Sequence, residues 1–235
     1  MRKSTISQVY SHYAQSPSVH GIVLALVAAY ISFHREEYMW FALPVVFITF
    51  TFRCIIFEIL LMIHVIQHKM GHWVWYHRVH PGIYLGSIPM EAMGHADAIV
   101  SLKITRVLGI MQDYELVAGT MAGRPVSSDI WKKRDVDFMQ IRSDDFVPPS
   151  FDILEEGAEL IHETLQNKGQ IYVHCKSGIG RSASLVIAYL IKYRGLGAVE
   201  AHRSVKSIRP QIIGTRSRQY TNLVKFEEHI RTENL

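Results

Sequence analysis

Nine residues, His174-Cys175-Lys176-Ser177-Gly178-Ile179-Gly180-Arg181-Ser182, set one cysteine and one arginine six positions apart around two glycines. An apolar run, residues 171–173, precedes them and a helical pattern, residues 184–191, follows. The pattern predicts a strand, a tight loop and a helix N-terminus, which together suit capture of a phosphate dianion. Cys175 then stands where a nucleophile could attack phosphorus. The helix N-terminus, the loop amides and Arg181 would lower its pKa. Backbone N–H groups of Lys176, Ser177, Gly178, Ile179, Gly180 and Arg181 can ring the phosphate, and the two glycines allow close approach or positive φ. The planar fork of Arg181 matches two phosphate oxygens. Ser182 can donate its hydroxyl to sulfur, holding the thiolate and easing its later departure. The bare cysteine–arginine spacing is a weak signal; the strand, glycines, serine and helix around it make it a specific one.

A phosphate monoester also needs a proton for its leaving oxygen. Residues 143–149 (SDDFVPP) offer Asp144 and, as the second candidate, Asp145. His174 reads as a structural histidine beside the loop. Asp113, Tyr114 and Glu115 read as a solvated loop start, to which the family likeness described below adds a second reading, as groups that shape the pocket. No metal or cofactor is expected. The chain has two cysteines, Cys54 and Cys175, and no histidine pair beside them at zinc-site spacing. Two isolated cysteines also argue against a disulfide framework and fit a reducing compartment.

Elements must hold these residues in place. Strands are predicted over residues 83–88, 104–111, 136–141 and 171–174, and helices over 91–102, 151–167, 181–194, 198–208 and 217–231. Residues 119–133 read as loop. Ser150 is a plausible N-cap, and Gly169 and Gly195 are helix stops. Alternating strands and helices imply an α/β domain, a central and mainly parallel sheet with helices on both faces.

The 235 residues carry a formal net charge of +4 and a pI of about 9.0. This balance is too mild to argue for nucleic acid. The chain reads as two parts: residues 1–70, a hydrophobic membrane-anchor or targeting region, and 71–235, the domain above. Apolar stretches cover residues 21–33 and 38–66, the second interrupted by Arg53 and Glu58. A spanning helix needs roughly 20 mostly apolar residues, and Arg53 would be costly against lipid. Membrane association is expected without a fixed number of spans. A hairpin turning at Arg35, Glu36 and Glu37, a targeting segment, and buried helices of a soluble protein are the three arrangements open to it.

The loop resembles the signature of cysteine-dependent phosphatases of the dual-specificity class. Within that class the chain is similar to the mitochondrial protein tyrosine phosphatase branch that acts on phosphatidylglycerophosphate. The likeness covers residues 73–231. It is carried by Trp75-Tyr76-His77-Arg78, by residues 85–90 (LGSIPM), by residues 109–115 (GIMQDYE), by the loop and residues 187–191, by Ser207-Ile208-Arg209-Pro210 and by Gln219. Ile179 departs from the family, which often has a polar residue or arginine there, and this lowers the loop's charge. The resemblance implies the cysteine-phosphatase fold and a metal-free phosphocysteine route. It gives Asp144 the acid position when Pro149 and Asp152 are aligned, and it allows a carboxylate near Glu115 to contact the arginine. It implies a phosphorylated lipid or phosphoprotein substrate, a membrane, no nucleic acid, and a mitochondrial inner-membrane location.

Overall fold

A computed structural model describes residues 39–233, with side chains from residue 51 to residue 232. The apolar stretch 21–33 and the turn at Arg35, Glu36 and Glu37 lie outside the described residues. The chain divides into two compact units between Phe57 and Glu58. The first, from Met39 onward, is helical. The division falls inside one helix, α1 (Met39–Lys69). Its segment Thr51–Lys69 is long and apolar enough to cross a membrane, with a mean hydropathy of 1.4. In the second unit the helix buries Leu61, His64 and Val65, which recur at helical spacing on one face.

The second unit is built on a five-stranded sheet of order β1-β2-β5-β3-β4. Its strands are β1 (Tyr76–His80), β2 (Ile83–Gly86), β3 (Arg106–Ile110), β4 (Asp137–Ile141) and β5 (Ile171–His174). Four strands are parallel, and β1 joins β2 antiparallel at the edge. The mainly parallel sheet expected from the sequence is therefore present, with one added strand. β1 reads YHRVH, a mixed pattern in which only Val79 is buried, and such an edge strand carries little hydrophobic signal.

β5 lies between β2 and β3 and is buried at all four positions, as a central parallel strand must be. Register places His174 beside Gly86 on one side and Gly109 on the other. The chain leaves β5 into the phosphate loop at the carboxyl edge of the parallel strands, where open α/β sheets bind ligands.

Helices cover both faces. On one, α2 (His95–Ser101) and α4 (Ser128–Lys132) pack Ile99 and Trp131 against Val107 and Tyr172. On the other, α5 (Phe151–Gln166) and α6 (Arg181–Arg194) pack together, flanked by α7 (Ala198–Ile208) and α8 (Arg218–Glu233). Ser150 caps α5 by accepting from the Ile153 N–H at 3.4 Å. Leu154, Ala158 and Ile161 then form the buried stripe of α5. Every residue of α6 from Arg181 to Ile191 is buried.

Two expectations are corrected. The single helix 91–102 is a 3-10 turn, Glu91–Met93, followed by α2, because Gly94 takes φ 67° between them and ends the first turn. The loop 119–133 contains α4, whose Trp131 is fully buried. Two short helical segments thus hide behind turn residues, α4 and α3 (Asp113–Val117).

Trp131 anchors the α2/α4 face of the core. Trp131→Ala is expected to destabilise the fold by about 3–5 kcal/mol, read as a lowered midpoint in denaturant unfolding of the full chain.

Candidate active site

The loop after β5 has its polarity fixed from outside. The carbonyl of Lys176 accepts from the Ile88 N–H at 3.2 Å, and that of Ile179 from the Ile213 N–H at 3.0 Å. Ser177 O accepts from the Ser87 hydroxyl at 3.0 Å and from Arg209 Nη2 at 3.1 Å. Gly178 O accepts from Arg209 Nε at 2.9 Å. With four successive carbonyls bound on the outside, the loop amides are left to face the centre, the arrangement that binds anions. Gly178 takes φ 67°, and a Cβ there would stand 2.4 Å from the Gly86 carbonyl oxygen. No other residue fits without moving the loop against β2.

Arg209 ties this loop to the start of the unit. Its Nη1 donates to the Val74 carbonyl at 3.2 Å and to His77 Nδ1 at 3.1 Å. Burial lowers its pKa to about 10, with Tyr172 and Cys175 opposing the shift, so it stays charged at neutral pH. Trp73 adds a second tie, because its indole N–H donates to Ser87 Oγ at 3.2 Å.

At the centre, Cys175 Sγ accepts from the Gly178 N–H and from the Ser182 hydroxyl, each at 3.3 Å. Burial by itself would raise the thiol's pKa. The Arg181 charge and hydrogen bonds from the Ser182 hydroxyl and backbone N–H outweigh it, and the pKa is lowered. His174 is buried and its pKa is lowered to about 3, first by burial and further by Arg181. It is therefore a neutral ring, and its Nδ1–H donates to the Cys175 carbonyl at 3.4 Å. Gly109 makes room for it: a Cβ there would stand 3.1 Å from the ring.

Arg181 opens α6 and is almost wholly buried. Its Nη1 and Nη2 donate to Glu115 at 2.6 and 2.9 Å, a two-pronged pair. Nη1 also donates to the Ser143 carbonyl at 3.1 Å, and Nη2 lies 3.3 Å from Asp145 Oδ1. Its buried Nε–H meets no acceptor on the protein. A buried charged donor left unpaired costs at least about 1–3 kcal/mol, and a bound oxyanion would recover it.

The acid loop lies against this centre. Asp145, the second candidate, pairs with Lys176 and Arg181. Asp144 Oδ1 instead accepts from the Gln112 side-chain amide at 2.9 Å. Phe146 follows at φ 64°, a left-handed turn, and its ring lies 5.0 Å from Lys176 Nζ. Burial would raise the Asp145 pKa, but Arg181, Lys176 and the Phe146 N–H hold it below the usual carboxylate range.

Cys175, Lys176, Ser177, Gly178, Ile179, Gly180, Arg181 and Ser182 thus form one continuous loop and helix start. Among the described residues no group of acidic, histidine and cysteine side chains could hold a metal ion. Glu115, left between two readings by the sequence, is fully buried against Arg181, while its neighbour Asp113 pairs with the exposed Arg142 at 2.8 Å. Ser87, Trp73, Gln112 and the role of Arg209 were missed. Arg209, Ser87 and Gln112 lay within segments that carried the family likeness; Trp73 had no local signal.

A sequence model described as dual specificity phosphatase, catalytic domain, matches residues 83–229. Phosphatidylglycerophosphatase and protein-tyrosine phosphatase 1 of Homo sapiens is 31% identical over 162 residues, covering 68% of this chain and 77% of that protein. Phosphatidylglycerophosphate phosphatase PTPMT1 of Arabidopsis thaliana is 28% identical over 155 residues, or 65% of this chain, and the match spans 43% of that protein's length. The crystal structure of PTPMT1 in complex with PI(5)P superposes with a TM-score of 0.59 at 26% identity, covering 69% of this chain and 100% of that one. A nucleophile loop, a buried arginine and a family match across more than half of the sequence agree: the chain belongs to the dual-specificity phosphatase family and is a cysteine-dependent phosphatase.

Proposed function

We propose that the protein hydrolyses the phosphate monoester of a phospholipid head group, phosphatidylglycerophosphate giving phosphatidylglycerol in the cardiolipin pathway, through a phosphocysteine on Cys175. The observation that carries the chemistry is the acidified Cys175 thiol beside the Arg181 Nε–H that has no acceptor on the protein. The lipid is supported by the names of the relatives and by the apolar Thr51–Lys69 helix. The location that goes with it is a membrane, by resemblance the mitochondrial inner membrane, with residues 1–70 as the anchoring region and 71–235 as the catalytic one.

In this reading the substrate dianion takes the Arg181 Nε–H and the inward amides of residues 176–181. The Cys175 thiolate attacks phosphorus opposite the leaving oxygen. The S–P bond forms, the P–O bond breaks, and an aspartic acid gives its proton to the departing alkoxide. The same group, now a carboxylate, deprotonates water, which attacks phosphorus. The S–P bond breaks, and the Ser182 hydroxyl steadies the returning thiolate.

We take Asp145 as that acid because it pairs with Lys176 and Arg181; Asp144, which the resemblance puts in the acid position, is the alternative. In the free protein the two cationic partners of Asp145 keep it ionised. An incoming dianion takes up the Arg181 charge and adds negative charge beside the carboxyl, and both effects raise the Asp145 pKa towards a protonated state.

A second reading, hydrolysis of phosphotyrosine or phosphoserine/threonine in proteins, is supported by the human relative's name, which carries both activities. Phosphate release from phosphatidylglycerophosphate in vesicles, compared with release from a phosphopeptide, separates the two. Faster turnover of the peptide would overturn the lipid reading. Cys175→Ser is expected to abolish release from both, and a retained rate would place the chemistry elsewhere.

The acid assignment has its own test. Asp145→Asn is expected to lower kcat on alkyl phosphates by roughly 10²–10⁴-fold, with a smaller loss on aryl phosphates, whose leaving groups need less protonation. Asp144→Asn is expected to leave most of the rate; the reverse ranking would give the role to Asp144.

The pH profile follows from the directions of the two shifts. The lowered Cys175 pKa moves the ascending limb to lower pH than an ordinary thiol would give. Ionisation of the acid in the substrate complex gives the descending limb of kcat. Asp145→Asn should flatten that descending limb and leave the ascending one in place.

A further inference from the structure

Val117, Met121 and Phe146 are 78%, 84% and 66% exposed, more than any other large apolar side chains with a described exposure. Val117 and Phe146 each stand next to residues of the site, and Met121 follows Val117 by four positions. Val117 ends α3, whose Glu115 holds Arg181. Phe146 follows Asp145 and lies over Lys176. Met121 sits in a tight turn in which Thr120 and Gly123 exchange backbone hydrogen bonds at 3.1 and 3.0 Å. The Thr120 hydroxyl closes the same turn on Gly123 O at 2.6 Å.

This turn is fastened to α1. The Met121 N–H donates to Glu58 Oε1 at 2.6 Å. From there, exposed Ile59, Ile63, Ile66 and Met70 continue along the helix at spacings of four, three and four, which put them on one face. The opposite face buries Leu61, His64 and Val65, so the last turns of α1 run along the catalytic unit. The exposed Met121 turn and the apolar stripe of the helix therefore meet at Glu58. Cations flank them: Arg124 lies just beyond the turn, and Lys69 is exposed at the helix end.

We infer that the turn bearing Met121, together with Val117, Phe146 and the isoleucine stripe of α1, is the surface by which the catalytic unit rests on an anionic phospholipid bilayer, with its mouth at the head-group plane. Continuity with a helix apolar enough for a membrane and the flanking cations name this occupant. Apolar side chains enter the acyl boundary while basic ones meet anionic head groups. The inference deepens the lipid-phosphatase reading and rests on it. A phosphate bonded to a head group would then reach Cys175 without its lipid leaving the bilayer.

The test uses the full chain. In a Cys54→Ser/Cys175→Ser background, Met121→Cys carries an environment-sensitive fluorophore, and Ser204→Cys on α7 carries it as the control. Vesicles of phosphatidylcholine and phosphatidylglycerol with brominated acyl chains are expected to quench the label at 121 and not at 204. A label at 121 that stays in water on vesicle-bound protein overturns the inference and leaves the face to a protein partner; equal quenching at both positions also overturns it. This readout needs no turnover, so it stands apart from failure of the lipid-phosphatase reading itself. In the otherwise native chain, Val117→Ser/Met121→Ser is expected to lower turnover of phosphatidylglycerophosphate in vesicles about tenfold, with hydrolysis of a soluble aryl phosphate unchanged. An equal fall on both substrates, or no fall on vesicles, overturns the inference.

Discussion

The Arg181–Glu115 pair is the constraint on which the site depends. Both groups are essentially removed from water. A lone guanidinium at that depth would be heavily penalised, and breaking such a pair by removing one partner typically costs about 3–5 kcal/mol. Glu115 does more than neutralise. Its Oε2 also accepts from the Gln112 N–H at 2.9 Å, so the same oxygen caps α3 and grips Arg181. The arginine's two Nη groups are committed to the protein, and its Nε–H is the donor that is not. Orientation of the phosphate is thereby transferred to a rigid neighbour instead of being left to a long side chain with many rotamers.

A second layer fixes the loop that surrounds the sulfur. Arg209, Ser87, Ile88 and Ile213 approach from α7, the segment after β2 and the segment before α8. None of them touches Cys175 by a hydrogen bond, yet together they choose which side of each peptide faces inward. Such a network is worth more as a set than as separate bonds, because each carbonyl it binds removes an alternative orientation of the loop. The neutral His174 ring contributes similarly from below, packed where Gly109 leaves space.

How much of this the sequence disclosed follows from the range of each interaction. β5 and α6 were legible to the residue, because an apolar run, a glycine turn and a glycine stop are local signals. Ser150 was read as a cap for the same reason. β1 was not, since its alternating residues are mostly polar and its strand character comes from pairing with β2. α4 was hidden by its brevity, and its core role depends on Trp131 meeting residues far away in sequence. Asp144 and Asp145 could not be ordered from spacing alone: adjacent side chains leave the backbone in different directions, and the pairing of Asp145 with Arg181 is a contact between residues 36 positions apart. The partnership of Glu115 with Arg181, 66 residues apart, could be suspected from the family likeness but had no periodicity to reveal it.

The solitary sulfur has a redox consequence. Cys175 is the lone cysteine between residues 58 and 235, and the features that make it a nucleophile also make it a target for peroxide, since oxidation follows thiolate character. A sulfenic acid formed there has no neighbouring thiol within its own unit with which to close a disulfide. Return to the reduced form therefore falls to a small-molecule or protein thiol arriving from outside.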